Sequence, residues 1–138
     1  MKNLKLVYQI VCDDVRLELG NKLSLMGIFH DFYVQQLPVT LPKLAILNHW
    51  TGSGTFLSEV RIMYPGKQKV LAASSPAPFE VPAGGYANNI SFFINLTFDK
   101  PGEYTIQTLI DSSLFEERRL IVGVVQMDDE AVDEDFVQ

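Results

Sequence analysis

Apolar and polar residues alternate with a period of two along most of the chain. Leu4, Leu6, Tyr8, Ile10 and Cys12 fall on one face of a predicted strand, and Lys5, Val7, Gln9 and Val11 on the other, half-polar face. Val15, Leu17 and Leu19 alternate with Arg16 and Glu18. Gly20-Asn21 then supplies a two-residue turn, and Leu23, Leu25, Gly27 and Phe29 resume the alternation, which predicts a hairpin. A strand follows over residues 43–50. Gly52-Ser53-Gly54 separates it from Phe56, Ser58, Val60, Ile62 and Tyr64. Pro65-Gly66 marks a turn before a short strand at Lys69–Ala73. Ile90, Phe92, Ile94, Leu96 and Phe98 predict the clearest strand, with Ser91, Phe93, Asn95, Thr97 and Asp99 opposite. After Pro101-Gly102 come Tyr104, Ile106, Thr108 and Ile110, with Thr105 expected on the solvent side, and finally Arg118–Val125.

No segment holds a helical period for more than about two turns. The crossover helices of a parallel sheet therefore have no place in the chain. The pattern predicts an all-β domain of about eight strands, arranged as a two-sheet antiparallel β-sandwich of immunoglobulin-like type, with a jelly roll as the alternative. Residues 74–88, rich in Ser, Pro and Gly, read as an irregular connection crossing between sheets.

The 138 residues suit one domain, and 47% hydrophobic content supplies a core. Charge divides the chain. The last eleven residues carry six acidic groups and no Lys or Arg, while the whole chain has a net charge of −6, so residues 1–127 are neutral. This sets the boundary between a domain at 1–126 and an acidic tail at 127–138. A neutral body lacks the cationic surface that binds phosphates, so no nucleic acid is expected. No apolar run approaches the roughly 18 residues of a membrane span, and no basic amphipathic helix is present, so no membrane is expected. Lys5 and Gln9 interrupt the N-terminal apolar stretch, which therefore reads as a strand of a cytoplasmic protein rather than a signal peptide. A lone Cys12 excludes an intrachain disulfide, and two histidines leave little for a metal site; neither metal nor cofactor is expected.

Phe98-Asp99-Lys100-Pro101-Gly102-Glu103-Tyr104 is the most patterned segment. A strand ends, Pro101-Gly102 turns the chain, and Tyr104 opens the next strand. This spacing predicts a structural corner in which the Tyr104 hydroxyl satisfies backbone of the turn. That segment, together with Cys12-Asp13-Asp14-Val15-Arg16, the stretch Gly20–Phe29, and a proline at Pro38 or Pro42, resembles an uncharacterised bacterial domain-of-unknown-function family. The resemblance spans residues 4–125. It implies a small immunoglobulin-like β-sandwich and transfers no catalytic residue.

Candidate chemistry is sparse. Asp13 and Asp14 read as the kink ending the first strand, and Arg16 as the ion-pair partner of one carboxylate among Asp13, Asp14, Asp31, Asp99 and Asp111. His30 and His49 have no nucleophile or orienting group placed beside them, and Ser24, Ser53 and Ser58 lack a nucleophile-elbow context. No catalytic residue is assigned. Cys12, between apolar neighbours, reads as an inert core thiol. Trp50, beside a Gly-rich loop, is a candidate partner contact, with a core tryptophan as the alternative. In the tail, Val132 and Phe136 stand four apart, so a helix induced on binding would place both on one face, with acidic groups steering it to a basic partner.

The expectation is a small, non-catalytic binding or adaptor module that meets a protein partner through its tail or a sheet edge. The alternative is a structural subunit of a phage-like or secretion-type assembly, and a hydrolase ranks third. The charge-free run Leu120–Val125 predicts either a central strand or an edge covered by a second copy in a homodimer.

Overall fold

The computed structural model describes residues 3–126, and these form eleven strands and no helix. The strands are β1 (Leu4–Cys12), β2 (Asp14–Glu18), β3 (Lys22–Met26), β4 (Phe32–Val34), β5 (Val39–Gly52), β6 (Gly54–Met63), β7 (Val70–Ala73), β8 (Ala77–Val81), β9 (Tyr86–Phe98), β10 (Gly102–Ile110) and β11 (Ser113–Val124). A three-stranded sheet has the order β1-β5-β9. A six-stranded sheet has the order β4-β11-β10-β6-β7, with β8 also paired to β6. The hairpin β2-β3 forms a third, separate sheet. All pairs are antiparallel except β4 with β11, which run parallel from Phe32 opposite Val122 to Val34 opposite Val124. The chain is thus all-β, as predicted, with more strands than the predicted eight and one parallel pair.

Two strands escape the pattern. β4 is only three residues long, and β8 lies inside the Pro-rich segment 74–88, where Pro76 and Pro78 mask it. β8 is an edge strand, where proline's missing N–H removes no ladder bond. The turns are legible. Gly20 and Asn21 both take positive φ, at 80° and 58°, which a type I′ hairpin turn demands.

The three-stranded and six-stranded sheets bury their facing sides against each other. Val11, Leu44, Ile46, Phe93, Leu96 and Phe98 meet Val60, Ile62, Tyr104, Ile106, Leu120 and Val122 in the largest cluster. Complete burial of an aliphatic chain such as Ile46 or Ile62 contributes about 1.5–3 kcal/mol. A second cluster holds Trp50, Phe56, Val81 and Ile110. Cys12, Val15 and Ala45 form a third, with Leu23, Leu25 and Ile90 against it. There the β2-β3 hairpin lies over the outer side of the small sheet. Burial raises the pKa of the Cys12 thiol, in keeping with an unreactive core residue.

The predicted faces of β1 and β9 are each cut in two. The β1–β5 register shifts between Leu6 and Tyr8, so Leu4 and Leu6 point inward toward Trp50 while Tyr8, Ile10 and Cys12 point outward. Asn95 takes φ 52°, and this rotates the strand: Phe93, Leu96 and Phe98 are in the core, whereas Phe92 and Ile94 are exposed. A single residue out of extended geometry inverts every face beyond it. Thr105, expected on the solvent side, is buried with Met63 and Arg119 as its cross-strand neighbours.

The apolar run Leu120–Val125 is covered within the subunit. Its β11 portion lies between β10 and β4, and Asp31 Oδ1 accepts from Ile121 N at 3.0 Å. Val125 N donates to the Val34 carbonyl. The run therefore needs no second copy to cover it.

Candidate functional site

The inward positions of four strands carry polar residues at one level. Ile46, Asn48 and Trp50 succeed one another on β5, and Ile106, Thr108 and Ile110 on β10; the middle residue of each is polar. Gln9 on β1 and Asn89 on β9 flank Asn48, and Thr108 on β10 lies across from them on the opposite sheet; Ser58 on β6 is buried one step further along, opposite Ile110. Gln9 Nε2 donates to Asn48 Oδ1 at 2.8 Å and to Thr108 Oγ1 at 2.9 Å, which ties the two sheets together. Trp50 Nε1 donates to Asn89 Oδ1 at 2.6 Å. The layer separates the two main apolar clusters. Asn48 is 1% exposed, and its Nδ2 has no partner among the described residues.

At β9 this layer opens to the side. A cleft of about 460 Å³ is lined by Ser58, Ser74, Ser75, Asn88, Asn89 and Ser91 among others, with no charged side chain. A second, of about 400 Å³, runs on past Ile94, Leu96 and Thr97 to Tyr64 and Leu71.

The outer face of the small sheet is the other distinctive surface. Tyr8, His49 and Tyr86 form a row across its three strands. Tyr8 and His49 stack at 4.6 Å with 2° between planes, and His49 and Tyr86 at 5.2 Å. His49 Nδ1 donates to Asn88 Oδ1 at 2.6 Å, which fixes the central ring. Tyr8 and Tyr86 are exposed, as are Leu17 and Leu19 on β2 and the turn that follows it. Lys43 Nζ sits 4.5 Å above the Phe92 ring and 2.8 Å from Asp14 Oδ1. The hydrogen bond from Lys43 is the main cause holding the Asp14 carboxyl below its usual range. Lys43, not Arg16, is thus the partner of Asp14.

Trp50 is not a partner contact. It is completely buried, stacked on Phe79 and met edge-on by Phe115. Its inward position follows from alternation: its neighbour His49 takes the outward one. The Tyr104 hydroxyl donates to the Lys100 carbonyl at 2.7 Å, closing the turn through Pro101 and Gly102. Gly102 has φ 142°, and a Cβ there would lie 2.8 Å from Pro65 Cγ, so a side chain is excluded on both grounds. Tyr104 is buried in the core beside Phe98 and Tyr64, which makes the corner structural. Val132 and Phe136 lie outside the described residues. Among the described residues no three His, Cys, Asp or Glu side chains converge as a metal site, and no helix is long and apolar enough to cross a membrane.

A family model covers residues 7–123, nearly all of both main sheets. The chain belongs to a family of unknown function, DUF6941. The family's matched span begins within β1 and ends within β11, so it takes in both bulges, the corner and the polar layer. No curated protein is significantly similar in sequence. Among solved structures the chain is similar to the Pseudomonas fluorescens alkylpurine DNA glycosylase AlkC bound to DNA containing an abasic site analog, with a TM-score of 0.57 and 8% sequence identity. That match covers 89% of this chain and 31% of the glycosylase chain, so this chain spans about a third of the glycosylase's length. At this identity the likeness concerns the fold alone.

Proposed function

We propose that the protein is a non-catalytic, protein-binding adaptor module with an immunoglobulin-like sandwich, and that its partner docks on the outer face of the small sheet. The supporting observation is the chemistry of that face. A solvent-facing sheet surface is ordinarily polar in alternation with its core face. Here it carries Tyr8, His49 and Tyr86 in one stacked row, with Leu17 and Leu19 exposed at the end of the overlying hairpin. Contiguous exposed apolar groups of this kind mark interaction sites, and aromatic residues are favoured at their centres. The neutrality of residues 1–127 favours a protein over a nucleic acid as partner.

Affinity capture with the full chain tests the reading. The triple change Leu17→Ser, Leu19→Ser and Tyr86→Ser removes exposed side chains only, so the melting temperature should stay close to that of the unaltered protein. A partner captured by the unaltered chain should be lost from the variant. A partner that survives those changes but is lost on deleting residues 128–138 would place docking at Val132 and Phe136 instead. Turnover of a substrate by the purified chain would overturn the non-catalytic reading.

A further inference from the structure

The small sheet has two lateral edges, and they are treated differently. At the β1 edge, Phe29 N donates to the Val11 carbonyl at 3.0 Å and Arg118 Nη1 donates to the Gln9 carbonyl at 3.1 Å. These bonds close the Gln9 and Val11 carbonyls, in the C-terminal half of that strand's edge. The six-stranded sheet ends on one side in the three residues of β4, and on the other in β7 and β8, with Pro76 between them and Pro78 inside β8. Short length and proline are both recognised guards against edge-to-edge pairing. β9 has no such guard. It is thirteen residues long, contains no charge and no proline, and pairs with β5 on one side only among the described residues. Along its free side two clefts separate it from Tyr64 and from the segment running from Leu71 to Ala77 in the six-stranded sheet.

The outward side chains of β9 are also wrong for solvent. Ile90 is half-buried under the hairpin, but Phe92 is 43% and Ile94 62% exposed. The sequence here reads Asn89-Ile90-Ser91-Phe92-Phe93-Ile94-Asn95, which is mirror-symmetric about Phe92 except at Ser91 and Phe93. An antiparallel pair of identical strands centred on Phe92 places like beside like across a two-fold axis. Phe92 would face the partner's Phe92, and Ile90 would face the partner's Ile94, on the extended part of the strand before Asn95. Directly opposed residues in such a pair stand about 4.5–5.5 Å apart at Cβ, within contact distance for these side chains. A two-fold interface requires this self-complementarity.

We infer that β9 is a homodimerisation strand: a second copy of the chain pairs antiparallel with it about Phe92 and joins the two small sheets into one continuous six-stranded sheet. The apolar triplet Ile90, Phe92 and Ile94 then becomes a single strip across both copies, and the open edge disappears. The two proposed surfaces meet on β9: the aromatic row ends there at Tyr86, whereas the dimer axis is centred farther along the strand at Phe92.

Sedimentation velocity on the full chain over a concentration series tests this. The unaltered protein should sediment with twice the mass of the chain at the upper end of the series. Ile94→Lys changes a side chain that is already exposed in the single subunit, so the variant should fold, keep its circular dichroism spectrum and sediment as a monomer. Phe92→Cys tests the register: with residue 92 on the axis, mild oxidation should link two copies, while Thr97→Cys, away from the axis, should not. A monomer throughout the series would overturn the inference. So would a dimer that persists in Ile94→Lys, or that binds an added extended peptide at β9 in preference to itself.

Discussion

Gln9 of β1 and Thr108 of β10, on opposite sheets, are joined by a 2.9 Å hydrogen bond through the middle of the core. The same Gln9 amide donates to Asn48 Oδ1, so one side chain satisfies two buried acceptors. Buried polar groups that lose a partner cost their full desolvation. Gln9→Leu should therefore destabilise the domain by about 1–3 kcal/mol in denaturant titration, although it adds an apolar group to the interior. Replacing Gln9 and Asn48 by Leu together should cost less than the sum of the two single changes, because the double variant leaves fewer groups unpaired.

The Tyr104 corner offers a cleaner single-atom test. Tyr104→Phe removes the donor to the Lys100 carbonyl and leaves the ring packing intact, and should cost about 1–2 kcal/mol. Tyr33→Phe, at an exposed ring, should stay within about 0.5 kcal/mol. Parallel denaturation curves for the two proteins check the difference.

Gly123 in β11 lies opposite Tyr33 in β4, and a Cβ placed on it would fall 2.4 Å from the Tyr33 ring. The ring occupies the space that a side chain at 123 would need. Gly123→Val should therefore displace β4 from the sheet, seen as accelerated amide exchange at Phe32–Val34 with slower change elsewhere. Tyr33→Ala should relieve that effect in the double variant.

Acid should act through two carboxylates at the surface, Glu117 exposed and Asp14 half-buried. Glu117 is held below its ordinary range by hydrogen bonds from Gln107 and then Lys67, and Asp14 chiefly by Lys43. A carboxyl whose folded pKa is depressed favours the native state above its ordinary pKa, near 4, and loses that contribution as pH falls through the shifted value. Glu117→Gln and Asp14→Asn should each flatten the fall in melting temperature on the acid side and leave the neutral-to-alkaline side nearly level. High salt should shrink the difference, more for the exposed Glu117 than for the half-buried Asp14.

The strands were legible where alternation is uninterrupted, as in β10, and where turn chemistry is local, as at Gly20-Asn21 and Pro101-Gly102. Face assignment failed at Val7 and Asn95, because a bulge is one residue wide and carries no obligatory composition signal apart from the tolerance of Asn for positive φ. Gln9 sits on the half-polar face of its predicted strand, and nothing in the alternation singles out Asn48 or Asn89 as core residues. Their shared level in the core depends on register between strands distant in sequence. The open edge of β9 and the partly sealed edge of β1 are likewise products of sheet order. The outward turn of His49 was implied once Trp50 was assigned to the core, since neighbours in a strand point opposite ways.

The parallel contact between β4 and β11 also bears on how the chain acquires its structure during synthesis. β4 emerges early from the ribosome, yet among the described residues its only strand partner is β11, the last of their strands to be made. β1 and β5 can pair as soon as residue 52 is available, and β9 can add to them, but the opposing sheet lacks both β10 and β11 at that stage. The nascent chain thus passes through a half-built state with Phe32 and the inner face of the small sheet uncovered, and long-range pairing of this kind is slow relative to local contacts. Translation pauses placed after β9 would lengthen that exposure, and a chaperone that shields apolar β surface would act there, before the closing strand arrives.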